Sequence, residues 1–274
     1  MKQRNARSFG LVLCITMAFA LILGLSGCGN EAETGSSDDS LKTVQERGEL
    51  IVGLAPFYAP FESTNETTKE IEGFDVDLAG VIAEKMGVKA VFKGAEWQGL
   101  LGGLEKGDYD VLVTAMSKKE AAEANVEFSD VYYLLDDIII VPKGNPKNIS
   151  GKDDLADMVV GVQLGSGSEQ IGDALNTEVG FKDLRKYKLT QDAMNDLKAG
   201  RIDAVLAGET FAVEQSKVDP SFDVVGEPLE SAEIVAVFRK GSTALVEEFN
   251  RQLAVVIQEG TYDELVAKWL TVTL

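Results

Sequence analysis

From residue 41 onward, short apolar runs alternate with stretches whose apolar side chains recur every three or four positions. The runs at 50–54, 88–93, 111–113, 137–142, 159–162, 204–207, 222–225 and 234–239 predict strands. Between them the helical period predicts a short helix at 41–49 and another carrying Leu78, Val81, Ile82 and Met86, which Gly87 stops. Further helices are expected at 96–105 with Trp97, Leu100, Leu101 and Leu104 on one face, at 118–124, and around Ile171, Ala174 and Leu175. The last are 191–199 ended by Gly200, 244–259 burying Leu245, Phe249, Leu253 and Val256, and 262–270 after Gly260. A hairpin tip falls at 65–70, and 143–150, Lys-Gly-Asn-Pro-Lys-Asn-Ile-Ser, is a turn-rich break. Strands and helices that alternate in this way predict an α/β chain with mostly parallel sheets.

The N-terminus departs from that pattern. Lys2, Arg4 and Arg7 precede a nearly unbroken apolar run at 9–25, closed by Leu25-Ser26-Gly27-Cys28. Positive charges, a short apolar run and then small residues predict an export signal over 1–27. A membrane-spanning helix needs about 20 apolar residues and fits less well. Residues 28–40 that follow are small and acidic, have no large side chain to bury, and are expected to form a flexible tether.

Composition narrows the chemistry. The chain of 274 residues has 26 basic and 45 acidic side chains, a net charge of −19. An acidic surface of this kind disfavours nucleic acid as a partner, because phosphates are repelled. The absence of histidine and the presence of only two cysteines, Cys14 and Cys28, leave no imidazole for a metal site or a catalytic triad and no disulfide framework. No catalytic residue, metal site or cofactor is expected.

Polar residues collect where expected strands meet expected helices. Thr114 and Ser117 follow the strand at 111–113, where free backbone N–H groups favour an anionic or polar ligand group, although a hydroxyl there can equally be a helix cap. Ser166, Gly167 and Ser168 follow the strand at 159–162 in a Gly-Ser-Gly-Ser loop open to the same two readings, oxyanion cradle or plain loop with Ser168 as cap. That loop lacks the Gly-Lys-Ser/Thr of a nucleotide-binding P-loop. Tyr58, in the aromatic loop 55–61, is placed in a ligand crevice, and Trp97 is either a ligand-stacking ring or part of the core. Asp75 and Asp77 are read as helix-capping and dipole-stabilising acids rather than metal ligands.

Several motifs carry a resemblance. Asp108-Tyr109-Asp110-Val111, Met116-Ser117, Glu127-Phe128-Ser129-Asp130 and the pair Tyr132-Tyr133 resemble the bacterial extracellular solute-binding proteins of family 3, the binding components of ABC importers for polar amino acids. Gly-Phe-Asp-Val-Asp-Leu-Ala at 73–79 and Gly-Thr-Tyr-Asp-Glu-Leu at 260–265 with Lys268-Trp269 extend the resemblance over 41–274, and Leu-Ser-Gly-Cys resembles a lipoprotein lipobox with Cys28 lipidated. The resemblance implies a two-lobed, type II periplasmic-binding-protein-like fold with 41–134 and 232–274 as lobe 1, 135–231 as lobe 2, and two crossing strands as hinge. It implies a monomer held by its lipid on the extracytoplasmic face of the cell membrane, a membrane permease as partner, and a ligand cleft formed by Tyr58, Trp97, Thr114, Ala115, Ser117, Ser166, Gly167, Ser168 and Glu209.

Two positions depart from the family's pattern. Where the resemblance calls for a carboxylate-clamping arginine the chain has Ala122, and where it calls for an amine-binding aspartate it has Gly208; a further anchor position is Ala55. Lys118 or Lys119 and Glu209 are the candidate replacements. A zwitterion buried without opposite charges costs several kcal/mol per ion, so the expected ligand is an atypical amino acid, a derivative of one, or another small polar solute. The alternatives are a ligand-free scaffold that binds another envelope protein and an enzyme using Glu62 or Glu209, which lack an evident basic partner.

Overall fold

The computed structural model describes residues 38–271; the expected signal at 1–27, the lipid site Cys28 and most of the tether lie outside them. The chain begins with α1 (Ser40–Arg47), β1 (Glu49–Leu54), β2 (Phe57–Tyr58), β3 (Glu62–Thr64), β4 (Ile71–Glu72) and α2 (Phe74–Lys85). It continues through β5 (Lys89–Gly94), a 3-10 turn at Trp97–Gly99, α3 (Leu100–Lys106) and β6 (Val111–Leu112). The long strand β7 (Val126–Pro142) then leads to β8 (Val159–Gln163), α4 (Gly167–Val179), β9 (Asp183–Tyr187), α5 (Thr190–Lys198), β10 (Ala204–Gly208) and α6 (Glu209–Val218). A second long strand, β11 (Phe222–Arg239), returns to α7 (Thr243–Gln258) and α8 (Thr261–Trp269).

The main sheet runs β5-β1-β6-β11-β7-β10-β8-β9. β1 is parallel to both β5 and β6, and β8 is parallel to both β9 and β10. The antiparallel joints are β6–β11, β11–β7 and β7–β10. Two parallel trios are therefore joined by one antiparallel ribbon.

Each trio has its own core. Around the first, Phe61, Phe74, Leu78 and Ile82 pack with Phe238 and Phe249 from the chain's return, all without solvent exposure. Around the second, β7 is buried on both faces: Ile138 and Ile140 meet Met194, Leu197 and Phe211, while Ile139 and Val141 meet Val160, Val162 and Leu175. Alternation along a strand with two covered faces gives the continuous apolar run Ile138-Ile139-Ile140-Val141. Among the described residues no helix is long and apolar enough to cross a membrane.

Several expectations need correction. Residues 118–123 form turns rather than a helix: after one long bond from Ala121 N–H to Ser117 O (3.4 Å), Ala122 and Ala124 bond back only three residues. The segment is pinned at its start, where Lys118 N–H donates to Glu233 O and Ser117 bridges to Ile234, so a continuing helix is not in register with β11. The runs 222–225 and 234–239 are one strand, interrupted by register shifts, and 137–142 is the end of a longer one. β9, Asp-Leu-Arg-Lys-Tyr, lacked an apolar run because it is an edge strand with half its side chains facing water. Asp75 does not cap α2, whose N-cap is Gly73; it is wholly buried and accepts the Ala115 N–H at 2.5 Å, fixing Ala115 at a φ of 47°.

Gly73 sits at a φ of 141°, and a Cβ there would stand 2.2 Å from the Phe61 carbonyl oxygen. Both the dihedral and the contact exclude a side chain. Gly73→Ala is expected to destabilise the protein by at least about 2 kcal/mol, lowering the melting temperature by roughly 4–8 °C in thermal denaturation.

Candidate functional site: a cleft between two parallel trios

The C-terminal ends of the parallel strands converge on one cavity of about 60 Å³. By that measure it has room for roughly four water molecules. β1 leads to Ala55 and β2 holds Phe57 and Tyr58; β6 leads to Thr114, Ala115, Ser117 and Glu120; β8 leads to Ser166, Gly167 and Ser168; β9 leads to Leu189 and Thr190; β10 ends at Gly208. Crevices outside the carboxyl ends of parallel strands are where open α/β sheets bind ligands.

At one end the two trios are bridged by a carboxylate. Glu120 N–H donates to Ser117 Oγ at 3.2 Å, and Ser117 N–H donates to Glu120 Oε2 at 2.5 Å. This is the reciprocal pattern of a capping box, made here on a single turn. The other oxygen, Oε1, accepts the N–H of Gly167 at 2.5 Å, from the first turn of α4 in the opposite trio. Burial pushes the Glu120 carboxyl up to about 7, against the lowering effect of these donors and with a further raising contribution from Asp137.

Asp137 faces the same cavity from the crossing strand β7. It accepts from Ser168 Oγ at 2.5 Å, and burial raises it to about 6, with Glu230 and Asp136 adding to the rise and Lys119 opposing it. Glu62 is the third acid on the wall. Its Oε1 accepts from Thr114 Oγ1 at 3.0 Å, and Thr114 Oγ1 accepts the Ala55 N–H at 2.9 Å. Glu62 Oε2 and Asp75 Oδ1 are buried without a donor. Burial and the charge of Asp75 push Glu62 well above the usual carboxylate range, and burial raises Asp75 to about 7. The protons available to these oxygens are one held by the two acids and that of the Tyr132 hydroxyl, which lowers Asp75.

Aromatic and amide groups close the remaining sides. Tyr58 stacks on Phe211, ring centroids 4.7 Å apart, and its Oη accepts the Gly208 N–H at 3.0 Å. Trp97 Nε1 donates to Gly165 O at 2.9 Å, and Gln98 Nε2 donates to Leu164 O at 3.0 Å and Lys188 O at 3.2 Å. Ser166 is the N-cap of α4, accepting the Glu169 N–H at 3.2 Å, a place that the sequence reading offered to Ser168.

The structure thus brings Tyr58, Trp97, Thr114, Ala115, Ser117, Ser166, Gly167 and Ser168 to one cavity. Glu209 does not line it: this residue opens α6 beyond Gly208, on the side of Tyr133. A Cβ at Gly208 would stand 2.7 Å from Tyr58 Oη and 2.9 Å from Leu135 Cδ2, so the space for a side chain at that position is already filled. Lys118, Lys119 and Ala122 lie in an outer groove, and Lys119 is paired with Glu230 at 2.7 Å. Among the described residues no lysine or arginine lines the cavity. Sequence reasoning missed Glu120 and Asp137. The spacing Ser117-x-x-Glu120 was the available signal for the first, as a capping box, but nothing local shows that its second oxygen crosses to Gly167.

A sequence model of the bacterial extracellular solute-binding proteins, family 3, matches residues 50–272. The chain is 32% identical to the L-cystine-binding protein TcyJ of Escherichia coli (strain K12), over 92% of this chain and 92% of that protein. It is 30% identical to the arginine-binding extracellular protein ArtP of Bacillus subtilis (strain 168), over 94% of this chain and 97% of the relative. Among solved structures, an ancestral arginine-binding protein bound to arginine superposes with a TM-score of 0.76 at 35% identity, covering 82% of this chain and 99% of that one. The ancestral amino acid-binding protein AncCDT-1, a precursor of cyclohexadienyl dehydratase, does so with a TM-score of 0.77 at 30% identity, covering 85% and 99%.

The raised carboxyls give a pH dependence of defined sign. Unfolded carboxyls ionise near about pH 4, whereas Glu120 and Asp75 in the folded protein hold protons to about 7 and Asp137 to about 6. Between those limits the folded state binds more protons than the unfolded one, so stability falls as pH rises through this window. Ligand-free protein is therefore expected to melt several degrees higher at about pH 5 than at about pH 7.5, and Glu120→Gln is expected to flatten the profile. A pH series of thermal melts checks both; a melting temperature that rises over this window contradicts the assignment.

Proposed function

The chain belongs to the bacterial extracellular solute-binding proteins of family 3, and on that premise we propose that it is the lipid-anchored receptor of an ABC importer, holding a small amino-acid-like solute in the cleft between its lobes. The observation that carries this reading is the cavity at which the ends of both parallel trios meet, lined by hydroxyls, carboxylates, aromatic rings and the N-terminus of α4. Relatives named for binding cystine and arginine cover nearly the whole chain, which supports an amino-acid-like solute. The missing clamp residues, Ala122 outside the cavity and Gly208 without room for a side chain, support an atypical one.

The separate cores support lobe 1 as 41–134 with 232–274 and lobe 2 as 135–231, joined by β7 and β11. Closing the lobes on a solute is then a population shift driven by the difference in affinity between closed and open forms. Leu25-Ser26-Gly27-Cys28 supports an anchor through lipidated Cys28, with the acidic tether giving the receptor reach toward its permease.

Protein purified through unfolding, to remove carried-over solute, is expected to gain about 2.7 kcal/mol at ligand concentrations near 100 Kd, a shift of several degrees in a thermal-shift screen of amino acids, their amides and methylated forms, and small polar metabolites. Silence across the whole panel turns the reading to a scaffold for another envelope protein. Cys28→Ser is expected to move the mature protein from the membrane to the soluble fraction, by fractionation and immunoblot.

A further inference from the structure

Resting on the solute-binding reading, we infer that Glu120 is the chain's own substitute for a ligand carboxylate, and that the cavity selects small organic cations without a free carboxylate. The two backbone N–H groups that converge on this end of the cleft come from different lobes, Ser117 and Gly167, and each is satisfied by one oxygen of the same side chain at 2.5 Å. A capping box needs only the oxygen that turns back to Ser117. The second oxygen spans the cleft and occupies a donor at the head of α4, where helix geometry favours an anion. Both donors are thereby used before any solute arrives.

Among the described residues no basic side chain on the wall offers a ligand carboxylate a second place. No lysine or arginine lines the cavity among the described residues, and Lys119, the nearest candidate in sequence, is held outside by Glu230. The other acidic side chains on the wall are Asp137 and Glu62. Like charges at this range in a partly dry site repel strongly, so a solute carrying its own carboxylate meets the wrong field twice, at Glu120 and at Asp137.

An ammonium or guanidinium meets the opposite situation. Asp137 uses one oxygen on Ser168 Oγ and faces the cavity from β7, and Glu120 adds a second acid on the same wall. The rings of Trp97, Tyr58 and Phe57 border the space and suit a cation's apolar stem or its charge over a π face. Buried carboxylates that lack a basic partner in the protein gain one when such a solute binds. Glu120 is thus a specificity-determining residue that acts by subtraction: it removes the anion site and leaves a cation site.

Matched pairs isolate the carboxylate. Calorimetric titration of the mature chain at neutral pH with ethanolamine and serine, putrescine and ornithine, and agmatine and arginine compares each amine with its parent amino acid. Wild type is expected to bind at least one amine at least about tenfold more tightly than the parent. Glu120→Gln is expected to weaken that amine by about tenfold or more, and Glu120→Ala with Ala122→Arg is expected to reverse the preference toward the amino acid. The wild-type comparison needs no variant to fold; unchanged melting curves certify the variants. A parent amino acid that binds wild type as tightly as its amine overturns the inference and leaves the receptor reading standing. Failure of every amine and every amino acid, together with silence in the broader screen, overturns both.

Discussion

Between Val126–Pro142 and Phe222–Arg239 the chain passes twice, in opposite directions, from one parallel trio of strands to the other. Residue pairs from Arg239 with Val126 to Phe222 with Pro142 hold the ribbon together along its length. Because β6 and β10 add to opposite edges of this ribbon, the two trios present their carboxyl ends to a common space. The ribbon also bends: its register slips between Ile234 and Val237, beside the bridge from Ser117, and again between Val225 and Glu230. Bulges at such places increase local twist and re-aim side chains, here in the strands that join the two trios.

What occupies that common space is acid. Glu62 and Asp75 are buried within one hydrogen-bonded system with Thr114 and Ala115, and Glu120 and Asp137 face each other's charge nearby. Ionised carboxylates in such surroundings are costly, and the protein contains the cost by holding some protonated and by surrounding the rest with N–H and O–H donors. The same strain makes the cleft responsive. A positively charged solute changes the ionisation of the groups that bind it, so binding and proton release are linked.

Much of the fold was legible in the pattern of apolar positions, because most of its strands and helices are amphipathic or fully buried. β1, β8 and β10 stood out as apolar runs, and α7 stood out because Leu245, Phe249, Leu253 and Val256 return on one face. β9 was missed because an edge strand hides in charged residues, and the helix expected after Ser117 failed because β11 pins its start. At the site, Tyr58, Thr114, Ser117 and the Ser166–Ser168 loop could be placed from their position after strands. Asp137 and Glu120 could not. One sits inside an apolar strand and the other on an irregular turn, and their roles depend on partners 31 and 47 residues away, Ser168 and Gly167.

The contacts across the cleft are made largely by groups that belong to the chain. Trp97 and Gln98 reach backbone carbonyls of the second lobe, Tyr58 receives Gly208, Glu120 receives Gly167, and Lys119 meets Glu230. Each would close the lobes whether or not a solute lies between them. A receptor reports its cargo through the contrast between its empty and loaded shapes, and self-made contacts of this kind narrow that contrast. On the proposed receptor function, they raise the apparent affinity for solute, since less of the binding energy goes into closure, while letting more empty molecules present the loaded shape to the transporter. On the receptor reading, the cleft trades fidelity of signalling for strength of capture, with the balance set by groups that line its own wall.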